Sequence, residues 1–249
     1  MAKTPKNVKS ERQALVDKMM AEQKSGERAR GYRIIGVCVV VALLIIGAAA
    51  YRPVKDWWDQ RSFEDLQLSD VGAAATVCQK PTTAPAEGTQ DHVAEGTPLD
   101  ILGNPPAFGQ HYDVPAAMDR KFYTTADRPE LGTLIHNLEH GYTILWYDET
   151  AADDADMMNE IRALATKLDT NDGNFRNKFK AVPWTSDDGD PFPDGQHIAF
   201  THWSAGGVGD DATGKQVGVT QFCSAPSGAA LEDFMVTYPY VDSPEPDAV

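Results

Sequence analysis

The sequence reads as an α+β protein: one N-terminal transmembrane helix, then a compact extracytoplasmic domain with a small, mostly antiparallel sheet and two or more helices. Three observations carry that reading. Ile34 to Ala50 is an unbroken apolar run of 17 residues without a charge. Beyond Leu99, short β-branched and aromatic runs alternate with helix-period segments. Basic residues also crowd ahead of the apolar run, while acidic residues dominate after it.

At about 1.5 Å per residue the apolar run spans roughly 25 Å, the short end of a bilayer core. Tyr32 and Tyr51 extend it to residues 34–51 and beyond with amphipathic rings, and Arg33 and Arg52 mark its limits. A helix apolar on every face suits lipid better than a groove in a soluble domain. Ala48-Ala49-Ala50 resembles a signal-peptidase site, but the charged segment ahead of the run, 33 residues long, exceeds an ordinary n-region. Cys38 lies at the wrong end of the run for lipoprotein processing. Residues 1–33 hold nine Lys or Arg against four acids, so this basic tail is expected in the cytoplasm and the remainder outside.

The chain carries a net charge of −15, with 13 basic and 33 acidic residues after the tail. Such an exterior repels phosphate, which excludes nucleic acid as a partner of the folded domain. The expected partners are membrane lipid along residues 34–51 and a membrane protein complex. Cys78 and Cys223 both fall beyond the span, in an oxidising compartment, and are expected to pair as a disulfide.

After the span, residues 52–98 read as a juxtamembrane segment with Trp57 and Trp58, followed by a linker. Its part from Gln79 to Pro98 is rich in Pro, Thr, Ala and Gly. The domain proper is expected over residues 99–240. Tyr142 to Tyr147, YTILWY, reads as a buried strand. Ala152 to Asp169 reads as a helix, with Met157, Ile161, Leu164 and Leu168 at three- and four-residue steps. Phe179 to Trp184, His197 to Trp203 and Gln216 to Cys223 read as further strands, and Ser227 to Tyr238 as a closing helix behind a Ser N-cap. Residues 241–249 read as a disordered tail.

The chemistry concentrates at His136-Asn137-Leu138-Glu139-His140, with Gly141 next. Histidines at i and i+4 share a helix face and can converge on one ion, with Glu139 beside them. His111, in a Pro- and Gly-rich loop, is the expected third imidazole. The expected metal set is therefore His111, His136, His140 and Glu139, holding copper or zinc. His197 and His202 are five apart on a strand and cannot both join it, and His92 falls in the linker. The competing reading is plain hydrogen bonding by each imidazole.

The string also matches the H-x-x-E-H of inverted zinc proteases. A peptidase needs a continued helix around it, whereas Gly141 marks a helix end. An enzyme is therefore the weaker expectation, with a metal-dependent hydrolase its form. Met118, Met157 and Met158 could serve as soft copper ligands, but helix periodicity already explains at least one of Met157 and Met158 as core and none of the three is counted as a site residue, while Asp187, Asp188, Asp190 and Asp194 lack the order of a calcium loop.

These residues resemble a bacterial family known only as a domain of unknown function, with membrane-anchored, extracytoplasmic members. The resemblance rests on Pro105-Pro106 to Gly109-Gln110-His111, on HNLEHG at His136 to Gly141 running into YTILWY, and on the SPEPDAV ending. It covers roughly residues 99–249. The chain departs from the family pattern between the two histidine motifs, at MDRKFYTTADRPELG. The resemblance implies that His111, His136 and His140 share one site. It also implies an accessory role beside membrane complexes, respiratory ones included, in which the histidines need hold no metal.

Overall fold

The computed structural model describes residues 5–86, 88, 90–169 and 174–248. Outside them lie the first four residues of the basic tail, Glu87 and Thr89 of the expected linker, residues 170–173 and Val249. Two compact units result, Met1–Asp59 and Gln60–Val249.

The first unit is helical throughout its described length, as part of α1 (Pro5–Gln60). Within α1 an 18-residue window reaches a mean hydropathy of 2.8, long and apolar enough to cross a membrane, and none of that window is buried in protein. The helix runs on past the apolar stretch and through Pro53.

The second unit is α+β. Its main sheet has five strands in the order β1-β7-β6-β4-β5. These are β1 (Thr82–Pro85), β4 (Thr143–Tyr147), β5 (Phe179–Pro183), β6 (Ile198–Ser204) and β7 (Val217–Cys223). Three of the four pairings are antiparallel, and β4 with β5 is parallel. A parallel pair needs a crossover, which α3 (Glu149–Asp153) and α4 (Ala155–Leu168) supply. The single helix expected over 152–169 is thus broken at Asp154, whose carboxylate accepts from the N–H groups of Asp156 and Met157 and caps α4.

Alternation along β4 sends Leu145 and Tyr147 to one face, where they meet Ile161, Leu164 and Leu168 of α4, and Leu231 and Phe234 of α5 (Gly228–Thr237). Ile144 and Trp146 point to the other face, against Leu134, Ile135 and Leu138 of α2 (Leu131–Glu139). Both faces are covered, which is why all of β4 is buried.

Cys78 and Cys223 form a disulfide with an S–S distance of 2.05 Å. It ties the segment before β1 to the end of β7, where Gln79 N–H donates to Phe222 O and Ser224 N–H to Val77 O.

Two further stretches depart from expectation. The residues read as linker supply β1, an edge strand on β7, and β2 (His92–Val93), which pairs in parallel with β3 (His111–Tyr112). Backbone pairing needs no large apolar side chain, so composition concealed it. Residues 241–248, read as a disordered tail, instead fold back onto the domain. Asp242 and Ser243 are buried, and the Asp242 carboxylate accepts from Ser204 Oγ at 2.7 Å and Gly207 N–H at 2.8 Å.

Candidate metal centre

α2 sets the site. It carries His136 and Glu139 one turn apart and stops at His140 in a Schellman motif, with Gly141 N–H donating to Leu138 O and Tyr142 N–H to Asn137 O. Gly141 has φ +88°, and a Cβ there would stand 2.3 Å from Tyr240 O. Glycine is therefore required twice over, by the turn and by the returning chain. The continued helix of a zinc peptidase is absent here.

The β2–β3 pair brings in the other two imidazoles. His92 lies in register with His111, and their Nε2 atoms are 3.1 Å apart. Glu139 Oε2 is 2.8 Å from His111 Nε2 and 3.5 Å from His92 Nε2. One ligand atom from each of His92, His111, His136 and Glu139 lies within 4.8 Å of the others. The side chains of His111 and Glu139 are 0% and 1% exposed and that of His92 is 38% exposed, so His92 forms the solvent-facing wall.

Hydrogen bonds on the outer side aim these donors inward. His111 Nδ1 donates to Gly109 O at 2.8 Å, and His136 Nδ1 donates to Tyr112 O. A carbonyl only accepts, so both neutral imidazoles turn an unprotonated Nε2 to the centre. Glu139 Oε1 accepts from Gln90 Nε2 at 2.9 Å, and Gln90 Oε1 accepts from Gln216 Nε2 at 2.8 Å. Gln216 Oε1 in turn accepts from Trp203 Nε1 at 3.1 Å. That chain occupies one carboxylate oxygen and leaves Oε2 buried without an aligned hydrogen bond. The near neighbour of Oε2 is His111 Nε2, in ion-pair contact at 2.8 Å.

Acceptors that face one another across so short a gap need a proton or a cation between them. The titration directions say the same. Burial pushes His111 down, but Glu139 and the Gly109 carbonyl outweigh it and the net direction is up. Burial, with the neighbouring His111 and His92, holds His136 down. Burial would raise Glu139, yet its contacts with His111 and Gln90 keep it below the usual carboxylate range. Three imidazoles and one carboxylate are a donor set that could hold a metal ion.

Of the four residues expected from sequence, His111, His136 and Glu139 converge directly. His140 stands beside them, its Nε2 2.9 Å from that of His136, and it groups with Glu139 and Glu245. His92, Gln90 and Glu245 escaped the sequence reading. The local signal was a single imidazole, His92, beside Asp91 in the stretch read as linker. The remaining histidines lie elsewhere: His197 Nδ1 contacts Asp148 Oδ2 at 2.9 Å, and buried His202 has Nε2 2.8 Å from Asp242 O.

A family model described as a protein of unknown function, DUF3105, matches residues 92–248. The chain belongs to this family. The match begins at His92 and takes in the C-terminal segment, so the whole histidine and carboxylate constellation is inside the family's domain. No curated protein and no solved structure matches the chain.

Proposed function

We propose that this DUF3105 member is a membrane-tethered, extracytoplasmic binding module that holds a copper or zinc ion through His92, His111, His136 and Glu139. The observation that carries the reading is the convergence of these four donors within 4.8 Å around a buried carboxylate oxygen that lacks an aligned hydrogen bond. The Nδ1 bonds to Gly109 O and Tyr112 O and the Gln90 bond to Glu139 orient the donors, as the outer partners of metal ligands do. The apolar stretch of α1 and the basic residues ahead of it support the tether and its orientation.

The full chain, purified in detergent, is expected to carry zinc or copper that the His111→Ala, His136→Ala double variant does not. Metal content that is negligible and equal in both would sink the reading. For the tether, a reporter fused after Val249 is expected to be active only outside the cytoplasm.

A further inference from the structure

A second convergence lies beside the first, and a single ion leaves it unused. Glu139, His140 and Glu245 each bring one ligand atom within 4.8 Å of the others. Two of them sit at the end of α2, and the third arrives from the far end of the chain.

Glu245 is held there by its backbone. Its N–H donates to Glu139 O at 3.0 Å. The Lys178 ammonium donates to Pro246 O at 2.9 Å, to Ala248 O at 2.6 Å and to His140 O at 2.7 Å, clamping the C-terminal segment against the turn that carries His140. The Glu245 carboxylate takes no part in that clamp. Its Oε2 sits 3.6 Å from His140 Nε2. This is too long for a hydrogen bond and near the ~3.3 Å that separates two ligands on a tetrahedral ion with ~2.0–2.1 Å bonds.

His140 itself lacks the support given to its neighbours. His111 and His136 each donate from Nδ1 to a carbonyl, whereas His140 Nδ1 is buried with no partner. His140 Nε2 lies 2.9 Å from the unprotonated Nε2 of His136 and donates to it while that nitrogen is free; an ion at the first position takes up the His136 lone pair and leaves His140 Nε2 without that acceptor. Two of the three side chains thus carry a buried atom without an aligned hydrogen bond, His140 Nδ1 and Glu139 Oε2, the latter in ion-pair contact with His111 Nε2. The Lys178 charge, which would oppose a cation, is directed at three carbonyl oxygens on the backbone side of His140.

We propose that Glu139, His140 and Glu245 form a second divalent transition-metal position adjoining the first, with the Glu139 carboxylate common to both. The inference rests on the reading of the first position. One nitrogen and two carboxylates suit Zn²⁺, Mn²⁺ or Fe²⁺ better than copper(I). Pairs of ions sharing a ligand in this way stand about 3.5–4 Å apart.

The test is zinc stoichiometry, with Zn²⁺ alone as the probe, on the full chain in detergent by elemental analysis and calorimetry. The wild type is expected to bind two ions. Glu245→Gln keeps the backbone bond to Glu139 and is expected to retain the first while weakening the second at least tenfold. His92→Ala is expected to weaken the first instead. Cobalt(II) loading gives an independent readout, since a carboxylate-bridged pair shows magnetic coupling that Glu245→Gln abolishes. One zinc in the wild type, bound with the same affinity in Glu245→Gln, overturns this inference and leaves the first position standing. No zinc or copper in the wild type overturns both.

Discussion

Replacing Lys178 by methionine isolates what holds the C-terminal segment over the candidate centre. Lys178 is 1% exposed, and burial pushes its pKa down to about 8 against a smaller opposing pull from Asp247. It therefore remains an ammonium at neutral pH, with one donor for each of the His140, Pro246 and Ala248 carbonyls. Hydrogen bonds to a charged group are each worth ~1.5–3 kcal/mol. Against the three bonds stands the cost of burying the charge, ~3 kcal/mol as read from the depression of the pKa to about 8. Methionine removes both terms and leaves the carbonyls to water, so the net loss is ~1.5–6 kcal/mol, centred near ~4. At ~1.4 kcal/mol per tenfold, the segment should open several hundredfold more often. Hydrogen exchange reads this directly at the Glu245 amide, whose acceptor is Glu139 O. Its exchange is expected to accelerate by about that factor while amides of β4 and β6 stay protected. An unchanged Glu245 rate would refute the claim that Lys178 is the clamp. Acceleration throughout the sheet would show instead that the lysine supports the whole domain.

Three further outcomes follow from the same geometry. Gly141→Ala forces a Cβ into the left-handed region and to within 2.3 Å of Tyr240 O, so thermal unfolding should show a loss of more than ~2 kcal/mol. The Cys78→Ser, Cys223→Ser variant opens a loop with a sequence separation of 145 and is expected to lose ~2–5 kcal/mol in urea titrations, with the wild type under reductant shifting the same way. Lys180 predicts a pH dependence: burial, reinforced by Lys121, lowers its pKa to about 7 from an ordinary 10.5. Between about 7 and 10.5 the unfolded chain binds more protons than the folded one, so stability rises with pH across that window, and this group contributes no slope below it. The slope approaches ~1.4 kcal/mol per pH unit, with Lys178 adding its own above about 8. Lys180→Met should flatten the lower part of that rise, and parallel profiles would count against it.

Much of the fold was legible because its signals are local. The unbroken β-branched and aromatic run YTILWY and the three- and four-residue steps after Ala155 mark a buried strand and a helix before any partner is known. The HNLEHG string likewise contains its own helix end, since Gly141 supplies the positive φ that the Schellman turn needs. The parallel β4–β5 pairing was not legible, because strand direction depends on how the crossover closes. Neither was β1, whose exposed residues pair through backbone groups that every sequence carries.

The same division runs through the candidate centre. Sequence by itself determined that His136, Glu139 and His140 lie within one turn, and it singled out His111, Cys78 and Cys223. It also determined the apolar stretch of α1 and the charge imbalance around it. Only the tertiary structure decided that His92 stands opposite His111, that Gln90 takes one oxygen of Glu139, and that Glu245 returns to His140. The physical reason is that helical and strand periods constrain neighbours in the chain. Contacts between residues such as Glu139 and Glu245 arise from backbone hydrogen bonds and a buried lysine, which leave no periodic trace in the residues they bring together.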